Sequence, residues 1–177
     1  MRRVLSFTMK KILISRLSLL TALIFLVILD QTTKTIIVNN LPLLDELRVF
    51  EYLNIVLVYN RGAAFGIFSD GFLWQKIFLV FIPIGITIVI SYVIFSKTNA
   101  NYFKLGLTLI LAGALGNLID RIRLGYVVDF IDFHVGDLHW PAFNVADFVI
   151  NIGAALIIFL EIKILIKKRK AQDRNGN

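Results

Sequence analysis

The chain has 177 residues, of which 58% are hydrophobic and 18% charged, with a mean hydropathy of +0.79. That is too apolar for a water-soluble domain of this length and reads as one integral membrane domain. The lack of Cys excludes disulfides, thiolate metal sites and a Cys nucleophile, while the net charge of +7 takes its meaning from where the charges lie.

Four apolar stretches predict membrane-crossing helices, at about 16–38, 72–95, 102–122 and 145–166. Thirteen of the 19 Lys and Arg lie ahead of or at the start of the first, around the link between the second and third (Lys97, Lys104), or in the last turn of the fourth and beyond it. Ten of the 12 Asp and Glu, all but Glu161 and Asp173, fall on the other side. By the positive-inside rule both termini are cytoplasmic. The basic balance then reads as topology and contact with anionic lipid, not as nucleic-acid binding. The expected architecture is all-α and integral to the membrane. Four transmembrane helices form a single domain over 1–170, a small extracytoplasmic β-sheet lies on the outer leaflet, and 171–177 is a polar, frayed cytoplasmic tail.

The first span begins like a signal peptide, but Asp30-Gln31-Thr32 follows it where a small-x-small cleavage site would stand. It therefore reads as retained. Met9 is an alternative start, since Lys10 and Lys11 alone supply an inner anchor. Asp30 and Lys34 share a helical face; they read as an intrahelical salt bridge or as a brace facing the bundle interior.

The first outer segment, 39–71, holds a run from Arg48 to Tyr59 rich in β-branched and aromatic residues, which predicts the sheet. Asn60-Arg61-Gly62 turns the chain, and the small residues on to Gly66 permit close approach of another segment. Trp74 and Trp140 read as interfacial anchors. In the third span, Ala112-Gly113-Ala114-Leu115-Gly116 lets a neighbouring helix come close. Asn117 and Arg121 follow on one face with Asp120 beside them, as a polar helix end or as support for a site.

The second outer segment, 123–144, carries Asp129, with Asp132 a weaker candidate for the same role. Asp129 is either a loop carboxylate paired with Arg121 or Arg123, or a buried acid. Beyond Pro141, Asn144 is a good N-cap and Asp147 stands at the third helical position. Asp147 is then either a capping-box acid or a catalytic carboxylate, which the helix N-terminus would keep ionised as suits a general base. Two carboxylates brought together at the membrane rim can share a proton and activate a water, as aspartic hydrolases do.

Several motifs are absent. His134 and His139 lack a His-Glu-x-x-His context, so no metal is expected. There is no Gly-x-Ser-x-Gly elbow and no glycine-rich phosphate loop. A Ser69–Lys34 pair is a lesser alternative. A proton or ion pathway is the main rival from another class, opposed by the gathering of acids at the outer end; a noncatalytic assembly factor is a third reading.

Taken together, Asp30-Gln31-x-x-Lys34, Asn60-x-Gly62-Ala63-Ala64-Phe65-Gly66, Gly116-Asn117-Leu118-Ile119-Asp120-Arg121, Val127-Val128-Asp129-Phe130 and Phe143-Asn144-Val145-Ala146-Asp147 resemble, in order and over nearly the whole chain, the bacterial lipoprotein signal peptidases, or signal peptidase II. The resemblance implies a membrane aspartic endopeptidase that cleaves prolipoproteins just before a diacylglyceryl-modified Cys. It implies no metal or organic cofactor and a location in the bacterial cytoplasmic (inner) membrane, with the active site at the outer face. It makes Asp129 and Asp147 the catalytic dyad. Asn60, Gly62, Asn117, Arg121 and Asn144 line or support the site, and Asp30 with Lys34 supports the fold. Partners are diacylglyceryl-modified prolipoproteins and membrane lipid, and a monomer is expected. Many members carry Ser after the second Asp, where this chain has Phe148.

Overall fold

The structure is a computed structural model that describes residues 2–62, 73–96 and 101–175, with side chains described from Arg16 onward except at 73–76, 101, 168, 171, 174 and 175. The small residues 63–66, Ser69, the start of the second span and Lys97 lie outside the described residues, as does the Trp74 side chain. Four helices, α1 (Arg2–Asn40), α2 (Leu73–Phe95), α3 (Asn101–Leu124) and α4 (Val145–Asn175), contain segments long and apolar enough to cross a membrane. These segments are Arg16–Asn40, Ile77–Phe95, Tyr102–Leu124 and Val145–Lys167.

Local chemistry sets the ends that matter for the site. Asn40 turns its amide back to the Ile36 carbonyl (2.8 Å), and Pro42 cannot continue the helix. Gly125, at φ +79°, ends α3 by donating its N–H to Arg121 O (3.1 Å) and lets Tyr126 turn back over the bundle. Asn144 caps α4. At its far end α4 stays helical to Asn175, so residues 171–175, expected to fray, continue the rod.

α3 is the hub. It packs against all three other helices, and 44% of its apolar window is buried against 6–11% for theirs. The large apolar side chains of α1, α2 and α4 point outward, among them Phe25, Ile28, Phe81, Ile88, Phe159 and Ile162. A bundle that is greasy outside and polar inside is built for lipid.

α4 lies closest to α3. A Cβ on Gly113 would run into the Ala146 carbonyl and stand 2.6 Å from Ile150 Cγ1. A Cβ on Gly116 would stand 2.5 Å from Asp30 Oδ2. Both glycines are therefore spacers that let α1 and the first turn of α4 touch α3.

A four-stranded antiparallel sheet, in order β1-β2-β3-β4, caps the end of the bundle where α1 and α3 finish and α4 begins. The expected β-segment splits into β1 (Glu46–Phe50) and β2 (Leu53–Asn60) around a turn at Glu51-Tyr52. The second outer segment is not a loop as expected: it contributes β3 (Val127–Val135) and the two-residue β4 (Leu138–His139). β3 lies between β2 and β4, and its start is buried on top of α3.

Candidate active site

Asp129 is carried by β3, opposite Val58 of β2, and is 2% exposed. Asp147 is in the first turn of α4. The strand thus delivers one carboxylate from above and the helix start delivers the other from below.

Three asparagine amides surround the pair, and donor-only partners fix which way each one points. Asn60 Oδ1 accepts the Gly62 N–H (3.1 Å), so its Nδ2 is the end that meets Asp129 Oδ2 (2.9 Å). Asn144 Oδ1 accepts the Asp147 N–H (2.9 Å), so its Nδ2 reaches Asp129 Oδ1 (2.6 Å). Asn117 Oδ1 accepts from Lys34 Nζ (3.0 Å), so its Nδ2 reaches Asp147 Oδ1 (2.7 Å). The second Asp147 oxygen accepts the Asn144 backbone N–H (3.3 Å). The capping box is therefore real, and it leaves Oδ1 facing the bundle interior. Asn144 is fully buried and bonds to both carboxylates, which ties their positions to one side chain.

Burial pushes the Asp129 carboxyl up to about 6; the Asn60 bond acts against this and the nearby Asp147 charge adds to it. Arg121 is half-buried and close enough to Asp147, Asp129 and Asp120 to feel their charges, yet it makes no ion pair within 4 Å among the described residues.

Behind the pair lies a buried charge cluster. Lys34 bridges Asp30 and Asp120 at 2.9 Å each. Gln31 donates to Asp120 Oδ1 (2.9 Å), Asp30 Oδ2 (3.2 Å) and Gly116 O (3.1 Å). The cluster reaches outward as well. Asp120 Oδ2 accepts the Val128 N–H (3.1 Å) at the start of β3, and Asp30 Oδ1 accepts the Ala146 N–H (2.9 Å) at the start of α4. It therefore anchors both elements that carry the two carboxylates.

A sequence profile of signal peptidase (SPase) II matches residues 22–163. A lipoprotein signal peptidase of Burkholderia thailandensis is 42% identical over 140 residues, which is 79% of this chain and 84% of the relative. One from Burkholderia vietnamiensis is 43% identical over the same shares. A bacterial membrane enzyme solved in meso at 2.3 Å is 38% identical, with a TM-score of 0.73 over 82% of this chain and 88% of that one. A second such structure, at 1.9 Å, gives 0.72. The chain belongs to the signal peptidase II family.

The chain is thus a membrane aspartic peptidase, multi-pass in the bacterial inner membrane, of a family that removes signal peptides from prolipoproteins. The fold brings together Asn60, Gly62, Asn117, Arg121, Asp129, Asn144 and Asp147, with Asp30 and Lys34 directly behind. It does not bring Asp132 to them. Three positions along a strand put Asp132 on the face opposite Asp129, where it bonds to Asn54 (3.3 Å) and His139 (2.9 Å). Lys34 has all its N–H bonds engaged and is no free base for a serine. Phe148, where many family members carry Ser, is 54% exposed. Sequence reasoning gave Gln31 and Asp120 no part of their own. The signal was available: a membrane-buried Lys four residues from one Asp still has N–H groups to satisfy.

Proposed function

We propose that Asp129 and Asp147 are the catalytic pair with which this peptidase cleaves prolipoproteins just before a diacylglyceryl-modified Cys. The observation that supports this best is that Asn144 holds both carboxylates at once, through its side chain and its backbone. Asp129, buried and pushed up to about 6, is the member suited to hold a proton. Asp147, at a helix start and held by two N–H donors, is suited to be the base.

A water between them gives one proton to Asp147 while its oxygen bonds to the scissile carbonyl carbon. Asp129 gives its proton to the carbonyl oxygen. The resulting gem-diol collapses as one hydroxyl returns its proton to Asp129, Asp147 passes its proton to the amide nitrogen, and the C–N bond breaks to a carboxylic acid and a free amine. Arg121, without an ion-pair partner among the described residues, holds substrate carbonyls at the rim. The acyl chains stay in the bilayer between helices, which lets lipid set specificity. The site opens at the outer face, both termini are cytoplasmic, and the enzyme works as a monomer with no metal.

Asp129→Asn and Asp147→Asn are each expected to lower cleavage of a diacylated lipopeptide by roughly 10⁴-fold, with the protein still inserted in the membrane. An Asp147→Asn enzyme that cleaves at the normal rate overturns the assignment. A chelator should leave the rate unchanged; a chelator-sensitive enzyme would end the metal-free mechanism.

A further inference from the structure

Lys34 is buried to 3% exposure and has three protein acceptors: Asp30 Oδ2, Asp120 Oδ2 and Asn117 Oδ1. An ammonium has three N–H groups and no lone pair, so the set is complete. The third bond goes to a neutral amide whose other end touches the dyad, with Asn117 Nδ2 donating to Asp147 Oδ1 at 2.7 Å. Asn144 Nδ2 also donates to Asn117 Oδ1 (3.2 Å), but it shares its N–H groups with Asp129 Oδ1 and Val128 O, so without Lys34 the amide loses the shorter of the two bonds that fix which way it points. A turned amide sets its oxygen against a carboxylate oxygen, and two acceptors facing each other demand a proton between them.

We propose that Lys34 is a positioning residue for the hydrolytic step: it locks the Asn117 amide so that Asp147 always receives its N–H and stays ready to take the proton of the attacking water. The assignment rests on the dyad reading above. The ionisable groups around Asp147 are Asp30 and Lys34 from α1, Asp120 and Arg121 from α3, and Asp129 from β3. The ionisable group in the described side chains of α2 is Tyr92, near the opposite end of its span. Lys34 and Arg121 are the cations in that set, and only Lys34 bonds to a group that itself bonds to Asp147.

The test is a double-mutant cycle on the purified full-length enzyme with a fluorogenic diacylated lipopeptide. Lys34→Met is expected to lower kcat by on the order of tenfold or more with KM within about threefold, and to move the acid limb of the kcat–pH profile up by about one unit. Placed on an Asn117→Ala background, where the link is already cut, the same substitution should change kcat by less than about twofold. Losses that multiply in the double variant, or an acid limb that stays put, overturn the proposal. Should Lys34→Met fail to accumulate, Lys34→Met with Asp120→Asn keeps the cluster's net charge and goes through the same cycle with the same deciding outcomes. Failure here leaves Asp129→Asn and Asp147→Asn inactive; failure of the dyad reading shows as activity in one of them.

Discussion

Asn60 is the residue whose removal reads out Asp129 most directly. It donates one N–H to Asp129 Oδ2, which favours the carboxylate. Asn60→Ala removes that support, so Asp129 keeps its proton to higher pH. If Asp129 is the acid, activity is present below its titration and lost as pH rises through it, near 6 in the free enzyme. The alkaline limb of kcat/KM should then move up by about one unit, since a hydrogen bond to a charged group is worth about 1.5 kcal/mol and one unit corresponds to about 1.4 kcal/mol. A pH–rate profile of the variant checks this, and a limb that moves down or stays fixed removes Asp129 from the acid role. Which carboxylates mattered was legible at this scale only in part. Asp147 could be placed from the sequence because Pro141 and Asn144 fix where α4 starts. Asp132 could be set below Asp129 from the sequence, but the reason that separates them, a strand on which three positions reverse the face, came only with the structure.

At the level of elements, β3 was hidden because its first half is covered on both faces. Val127, Val128, Asp129 and Phe130 are all buried, so the alternation that signals a half-exposed strand disappears. β2, more open, was readable from its composition. The helices were legible because lipid demands long apolar runs whatever their packing. Their contacts were legible only at Gly113 and Gly116. Gly113→Ala tests that contact, since its Cβ would meet the Ala146 carbonyl, and backbone does not give way cheaply. Overpacking of this kind costs about 1–3 kcal/mol. The variant should melt at a lower temperature in detergent. It should also lose kcat, because the displaced turn of α4 carries Asp147. A variant with native melting and native kcat would show that α3 and α4 have slack at this crossing. The equivalent change at Gly85, which faces open space on α2, should leave both unchanged.

The whole molecule gathers the Asp129 and Asp147 carboxylates at the sheet end and a run of Lys and Arg on α4 at the other. α1 and α4, at 39 and 31 residues, span about 58 and 46 Å at 1.5 Å per residue, more than the roughly 30 Å of a hydrocarbon core. Each projects at the end away from the sheet. There α4 displays Lys163, Lys167, Arg169 and Lys170, the arrangement that holds a segment against the anionic inner leaflet. Because the four helices alternate in direction, one labelled position at each end decides the orientation of everything else, dyad included. The chain has no Cys, so introduced thiols report without background. Asp137, exposed at the β3–β4 turn, and Gln172, exposed on the last turns of α4, mark the two ends. In spheroplasts, a membrane-impermeant maleimide should label Asp137→Cys at once and Gln172→Cys only after permeabilisation. The reverse pattern would put Asp129 and Asp147 at the cytoplasmic face, and the outer-face site proposed above would have to be abandoned whatever the fate of the dyad chemistry.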